Sequence, residues 1–115
     1  TNLPATVIGA EIDGGSGFWH ISDAKTSATA ITEIKKAKQG VAYCIEIGED
    51  DATHGLTIAK SGNFANITAE WTPSQPGDYI MVILGKDNKY RELERRVGGK
   101  RTVNKAVQPN VPGGR

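Results

Sequence analysis

The run Tyr79-Ile80-Met81-Val82-Ile83-Leu84 constrains this chain more than any other feature. It is the longest uninterrupted apolar stretch, and it falls far short of the roughly 20 residues a membrane-spanning helix needs. It is rich in branched side chains, lies between glycines and is apolar on both faces, so it is expected as a fully buried central strand. In front of it stands Thr72-Pro73-Ser74-Gln75-Pro76-Gly77-Asp78. Two prolines followed by Gly-Asp cannot continue a ladder and must make a connection.

The clearest strand is residues 41–47. Val41, Tyr43, Ile45 and Ile47 share one face and Glu46 takes the other, which is the period-two pattern of a half-buried strand. Leu56-Thr57-Ile58 reads as a short strand and Ser61-Gly62-Asn63 as a turn. Residues 64–71 read as a further strand whose apolar phase slips between Phe64 and Ile67, as at a bulge. Gly85-Lys86-Asp87-Asn88-Lys89 is expected as a hairpin loop. Residues 89–94, mostly charged, are expected as an edge strand, where charge discourages further pairing.

Residues 5–12 and 18–21 also read as strands, separated by Asp13-Gly14-Gly15-Ser16-Gly17. Residues 24–38 admit two readings. Asp23 is placed to cap a helix with Ala28, Ile31, Ile34 and Ala37 on one face. Thr26, Ser27, Thr29, Ile31 and Thr32 argue for extended chain, because branched and hydroxyl side chains lose more on entering a helix. Short strands at short intervals with turns between them indicate an all-β fold. The expectation is a small antiparallel β-sandwich or barrel-like domain with room for one short helix.

Composition sets the outer limits. With 115 residues, 37% apolar content and 14 glycines, the chain is too apolar for a disordered tail and too glycine-rich for a helical bundle. One domain with one modest core is expected. Cys44 is the sole cysteine, so neither an intrachain disulfide nor a multi-cysteine zinc site can form. The sequence opens on Thr1 and its sole methionine is Met81, as expected of a processed product or an excised domain. Thr1-Asn2-Leu3-Pro4 does not read as a signal peptide.

Charge is divided unevenly. Residues 94–115 carry Arg95, Arg96, Lys100, Arg101, Lys105 and Arg115 against Glu94, a net +5, in a chain whose total is +1. With Gly98-Gly99, Pro109, Pro112 and Gly113-Gly114 and no apolar periodicity, residues 95–115 read as a basic arm after a β-rich domain of residues 1–94. Such an arm suits an acidic neighbouring subunit, with Arg95, Arg96, Lys100, Arg101 and Lys105 as candidate subunit contacts. It also suits nucleic acid, although it lacks aromatic side chains for base stacking.

Catalytic patterns are thin. Glu49-Asp50-Asp51 with His54 has carboxylates and imidazole but no EF-hand spacing, and reads as a solvated acidic loop. Gly14-Gly15-Ser16-Gly17 is neither a nucleophile elbow nor a phosphate loop. Nothing directs Cys44 to His20 or His54. Asn66-Ile67-Thr68 fits the glycosylation sequon, a pattern that recurs by chance. The expectation is a non-enzyme without cofactor or metal. Among seven aromatic residues, Phe18, Trp19, Trp71 and Tyr90 are candidates for stacking on a sugar, or else for core packing.

Residues 31–95 carry an ordered set of short motifs: Ile31-Thr32-Glu33-Ile34, Gly40-Val41, Leu56-Thr57-Ile58, Ser61-Gly62-Asn63-Phe64, Trp71-Thr72-Pro73, Gly77-Asp78-Tyr79-Ile80 and Tyr90-Arg91-Glu92-Leu93-Glu94-Arg95. This order resembles β-rich modules of tailed-bacteriophage virion proteins, found in heads, fibres and tail spikes. The resemblance implies an extended segment at Ile31 to Ile34, a carboxylate partner for Arg95, and self-association, with a trimer as the analogy's oligomer. It implies a structural protein of the virion, assembled in the bacterial cytoplasm, head-associated rather than in the tail, and attached to copies of itself and to other virion proteins. A carbohydrate-binding module of a tail fibre or spike, using Trp19, Trp71 or Tyr90, is the first alternative. A small nucleic-acid-binding protein using the basic tail is the second.

Overall fold

The computed structural model describes residues 11–23 and 27–105. In chain order its strands are β1 (Glu11–Asp13), β2 (Trp19–Ser22), β3 (Thr29–Ala30), β4 (Glu33–Lys35), β5 (Ala42–Ile47), β6 (Leu56–Thr57), β7 (Tyr79–Leu84), β8 (Tyr90–Val97) and β9 (Lys100–Val103). One helix, α1 (Glu49–His54), follows β5, and single 3-10 turns occupy Gly14–Ser16 and Gly62–Phe64.

The two strongest strand signals become neighbours inside a five-stranded sheet of order β2-β5-β7-β8-β9. β7 is central, as expected. Only one of its faces is fully buried, however: Ile80, Val82 and Leu84 point into the core while Tyr79, Met81 and Ile83 stay half-exposed. The fold is all-β, as expected, but its pairing is mixed rather than purely antiparallel. β5-β7-β8-β9 form an antiparallel meander, whereas β1 pairs with β4, β2 with β5 and β3 with β6 in parallel.

The β1-β4 and β3-β6 pairs lie over the inner face of the large sheet, so the arrangement is sandwich-like. Ile12, Ile31, Ile34, Leu56, Ile58, Phe64, Ile67 and Trp71 join Tyr43, Ile45, Ile47, Ile80, Val82, Leu84 and Tyr90 in one core. Each large side chain so buried contributes about 1.5–3 kcal/mol relative to exposure.

Several expectations are corrected. Residues 27–38 are not helical: they hold β3 and β4, and Ile31 and Ile34 are core residues in extended chain. Residues 24–26 lie outside the described residues, as do residues 5–10 of the first expected strand. Asp23 caps a different helix, accepting the Asp50 N–H at 2.8 Å where α1 begins. The acidic segment is α1 rather than a solvated loop, and Asp51 is buried, accepting the Ser22 Oγ–H at 2.6 Å. Residues 64–71 form no strand. After the 3-10 turn their ladder pairing is confined to the isolated Asn66–Arg91 and Ile58–Trp71 bridges.

The largest correction concerns the expected arm. The charged strand is internal, because β9 pairs along its outer side. Arg95, Arg96 and Arg101 therefore belong to the sheet, and residues 106–115 lie outside the described residues. Gly98 and Gly99 are a two-residue hairpin turn between the paired Val97 and Lys100, with φ of +61° and +81°. Both angles are in the left-handed region that glycine adopts without steric cost, as a type I′ turn requires.

Two buried carboxylates fasten this region. Asp78 is fully buried and accepts four backbone N–H groups at 2.7–3.1 Å, from Ser74, Gln75, Gly98 and Gly99. It thereby ties the proline loop to the β8-β9 turn. Burial pushes its carboxyl up, but these hydrogen bonds outweigh burial and hold it below the usual aspartate range. Glu92 is also buried, and its carboxylate accepts from Arg95 Nε at 2.9 Å and from Thr68 Oγ1 at 2.9 Å. Burial raises this group as well, and Arg95 and Thr68 outweigh it.

Candidate functional site

The outer face of the large sheet is divided in two. Across it, register aligns Trp19, Cys44, Met81, Glu94 and Val103 in one row, and Ile21, Glu46, Tyr79, Arg96 and Arg101 in the next. A third row begins with Ala42, Ile83 and Arg91. The β2-β5-β7 half is therefore apolar apart from Glu46, and the β8-β9 half is charged.

The apolar half has a shape as well as a composition. Ala42 and Cys44 are small and make a floor, while Phe18, Trp19, Tyr79 and Met81 are large and make walls. The result is an open trough of about 360 Å³. Phe18 is 65% exposed and Trp19 43%, the two large apolar side chains that stand out from the surface among the described residues. Trp19 is held in place by its indole N–H, which donates to Glu46 Oε1 at 2.9 Å. Cys44 lies in the floor, where burial and then Glu46 and Glu94 push its thiol up to about 12. At neutral pH it is an apolar filler rather than a nucleophile.

On the charged half the arginines are already partnered. Arg101 donates to Glu94 at 2.9 and 3.1 Å, and Tyr79 donates its hydroxyl to the same carboxylate. Arg91 pairs with Asp87 at 3.1 Å, and Arg96 lies 3.6 Å from Asp78. Arg95 binds Glu92 and the carbonyls of Ala69 and Glu70 on the other side of the sheet. Of the five expected subunit contacts, Lys100 and Lys105 are exposed and make no ion pair with a described carboxylate. The basic patch expected from the sequence is thus largely neutralised within the chain. Of those five, Lys100 and Lys105 are the ones left to offer a phosphate backbone.

Trp19, Trp71 and Tyr90, the residues offered for glycan contact, do not come together. Trp71 is fully buried in the core. Tyr90 is buried against Phe64, with ring centroids 4.7 Å apart, and its hydroxyl points to the Ile34 carbonyl. Trp19 alone of the three reaches the surface, beside Phe18. Core packing, the other reading of these residues, accounts for Trp71 and Tyr90.

The histidines do not converge with the thiol. His20 is buried on the inner face of β2, with Nε2 2.9 Å from the Gly17 carbonyl oxygen, while Cys44 faces outward on β5. His54 sits at the exposed end of α1. Among the described residues no group of three or more His, Cys, Asp or Glu side chains is placed to hold a metal ion.

The trough residues Ala42, Cys44 and Met81 were not expected to act together. A signal was available: β7 is apolar on both sides, so a sheet covered on one face leaves an apolar face to be met by something else. The chain matches no protein-family model, and no curated protein is significantly similar to it.

Proposed function

We propose that this chain is a non-enzymatic structural protein of a tailed-phage or prophage virion, head-associated, that works by self-association and attachment to neighbouring subunits. The observation that carries the reading is the apolar half of the outer sheet face, where two aromatic side chains stand exposed over a floor of small residues. Clustered apolar surface of this kind marks a protein–protein contact more often than a free surface. The ordered motifs of residues 31–95 supply the virion context.

The test is to follow the purified chain by sedimentation and light scattering across concentration, and to add it to particles lacking it. Symmetric oligomers, with a trimer expected, or saturable binding to such particles support the reading. A chain that stays monomeric and ignores those particles overturns it.

A further inference from the structure

The trough invites the question of what fills it, and this chain contains a segment with matching chemistry. Residues 106–115 read Ala-Val-Gln-Pro-Asn-Val-Pro-Gly-Gly-Arg. Pro109, Pro112 and Arg115 are spaced three apart, and in a polyproline II helix with three residues per turn they fall on one edge, about 9 Å apart. Proline-rich segments of this spacing dock in grooves lined by aromatic side chains, because their restricted φ leaves little conformational entropy to lose. A basic residue beyond the second proline adds a charged anchor when an acid stands at the rim.

The trough meets both requirements. Phe18, Trp19 and Tyr79 supply aromatic walls, and Glu46 stands at the rim. Glu46 Oε1 accepts from Trp19, while Oε2 accepts no hydrogen bond among the described residues. With Pro112 over Cys44, Glu46 lies two residues along β5, about 7 Å away, within reach of the Arg115 guanidinium.

We propose that residues 106–115 of a neighbouring copy of this chain fill the trough, with Pro109 and Pro112 between the aromatic walls and Arg115 on Glu46. The proposal rests on the self-association reading and names its contact. A neighbouring copy is favoured over the same chain by the path. β9 ends at Val103, which shares a row with Glu94. To reach Trp19 from there, about 19 Å across four strand spacings, the chain's own segment would cross Glu94 and its partners Arg101 and Tyr79. That crossing takes an ion pair out of water. A segment arriving from another copy enters past β2, which pairs with no described strand on its outer side, and crosses none of them.

The experiment uses the full chain with a photo-crosslinking phenylalanine analogue at Val111, mixed in equal parts with nitrogen-15-labelled full chain. Sedimentation is run on the same samples. Mixed-isotope crosslinks from position 111 to peptides of β2, β5 or β7 are expected. They should fall roughly tenfold in Pro109→Ala/Pro112→Ala and in Arg115→Glu. Trp19→Ala should lower them equally, and the Arg115 variant decides the matter if the Trp19 variant does not fold. Links within single copies only, links to another surface, or links undiminished by these substitutions overturn the proposal. If oligomers persist in those cases, self-association stands and only this contact falls. If no oligomer forms at any concentration, both fall.

Discussion

On the inner face of the large sheet, Tyr43, Ile45, Ile80 and Val82 are sealed by the second layer. On the outer face of the same strands, Ala42, Cys44, Met81 and Trp19 are covered by no other described element. The polar groups divide in the same way. Inward, Asp78 accepts four backbone hydrogen bonds and Glu92 accepts from Arg95 and Thr68, whereas outward, Glu46 beside the trough accepts from Trp19 alone among the described residues. One set of strands thus carries two separable properties, stability on one side and association on the other. Substitutions should separate them.

The largest effect is expected at Trp71. Trp71→Ala should cost about 3–5 kcal/mol in denaturant unfolding, as large core truncations do. A loss below about 1 kcal/mol would show that the second layer does not seal the sheet as described. Next is Asp78→Ala, expected to cost about 3 kcal/mol because four N–H donors lose a buried acceptor. The amides of Gly98 and Gly99 should then exchange faster with solvent, whereas Asp78→Asn keeps one acceptor oxygen and should lose less.

The same carboxylates set an acid limb. Asp78 and Glu92 are held below their unfolded values in the folded chain. The stability they contribute is therefore complete above their unfolded pKa values, about 4. It is lost as pH falls through the folded ones. Unfolding followed from pH 6 to pH 2 should show this decline, and Asp78→Asn should flatten it.

The outer face should behave in the opposite sense. Trp19→Ala should change unfolding free energy by no more than about 1 kcal/mol, yet weaken self-association measured by sedimentation. Equal losses in both would erase the distinction between the faces. The smallest effect concerns Cys44. With its thiol near 12, only on the order of one molecule in ten thousand is thiolate at pH 8. Alkylation should be slow in the folded chain and slower still in the assembled one.

Local pattern made β5, β7, β2 and the 85–89 loop legible, because alternation and turn residues act over a few positions. The three parallel pairings were not legible, since each joins segments more than 20 residues apart. No short-range signal encodes which distant strand arrives. Phe64, Ile67 and Trp71 read as a bulged strand because they are apolar at strand-like spacing, yet each is pinned by the core without a ladder. Arg96 and Arg101 looked like free charge because Asp78 and Glu94 meet them only through the fold, whereas the carboxylate expected for Arg95 stands three residues away, at Glu92. Gly98-Gly99 was the missed local clue, since a glycine pair between strand-forming residues is a hairpin signal as much as a linker signal. Trp19 was legible as a surface candidate by residue type, whereas the burial of Trp71 and Tyr90 depends on contacts that no neighbouring residue announces.

The pairing order also has a consequence for how the molecule comes to be made. β7, β8 and β9 are sequential hairpins, so their closure requires only short loops. β1, β2 and β3 must wait for partners that appear much later in the sequence. β1, β2 and β3 are therefore expected to find their places after the β7-β8-β9 hairpins have closed. Pulse-labelled hydrogen exchange should find the amides of β7 and β8 protected before those of β2, and the reverse order would refute this view.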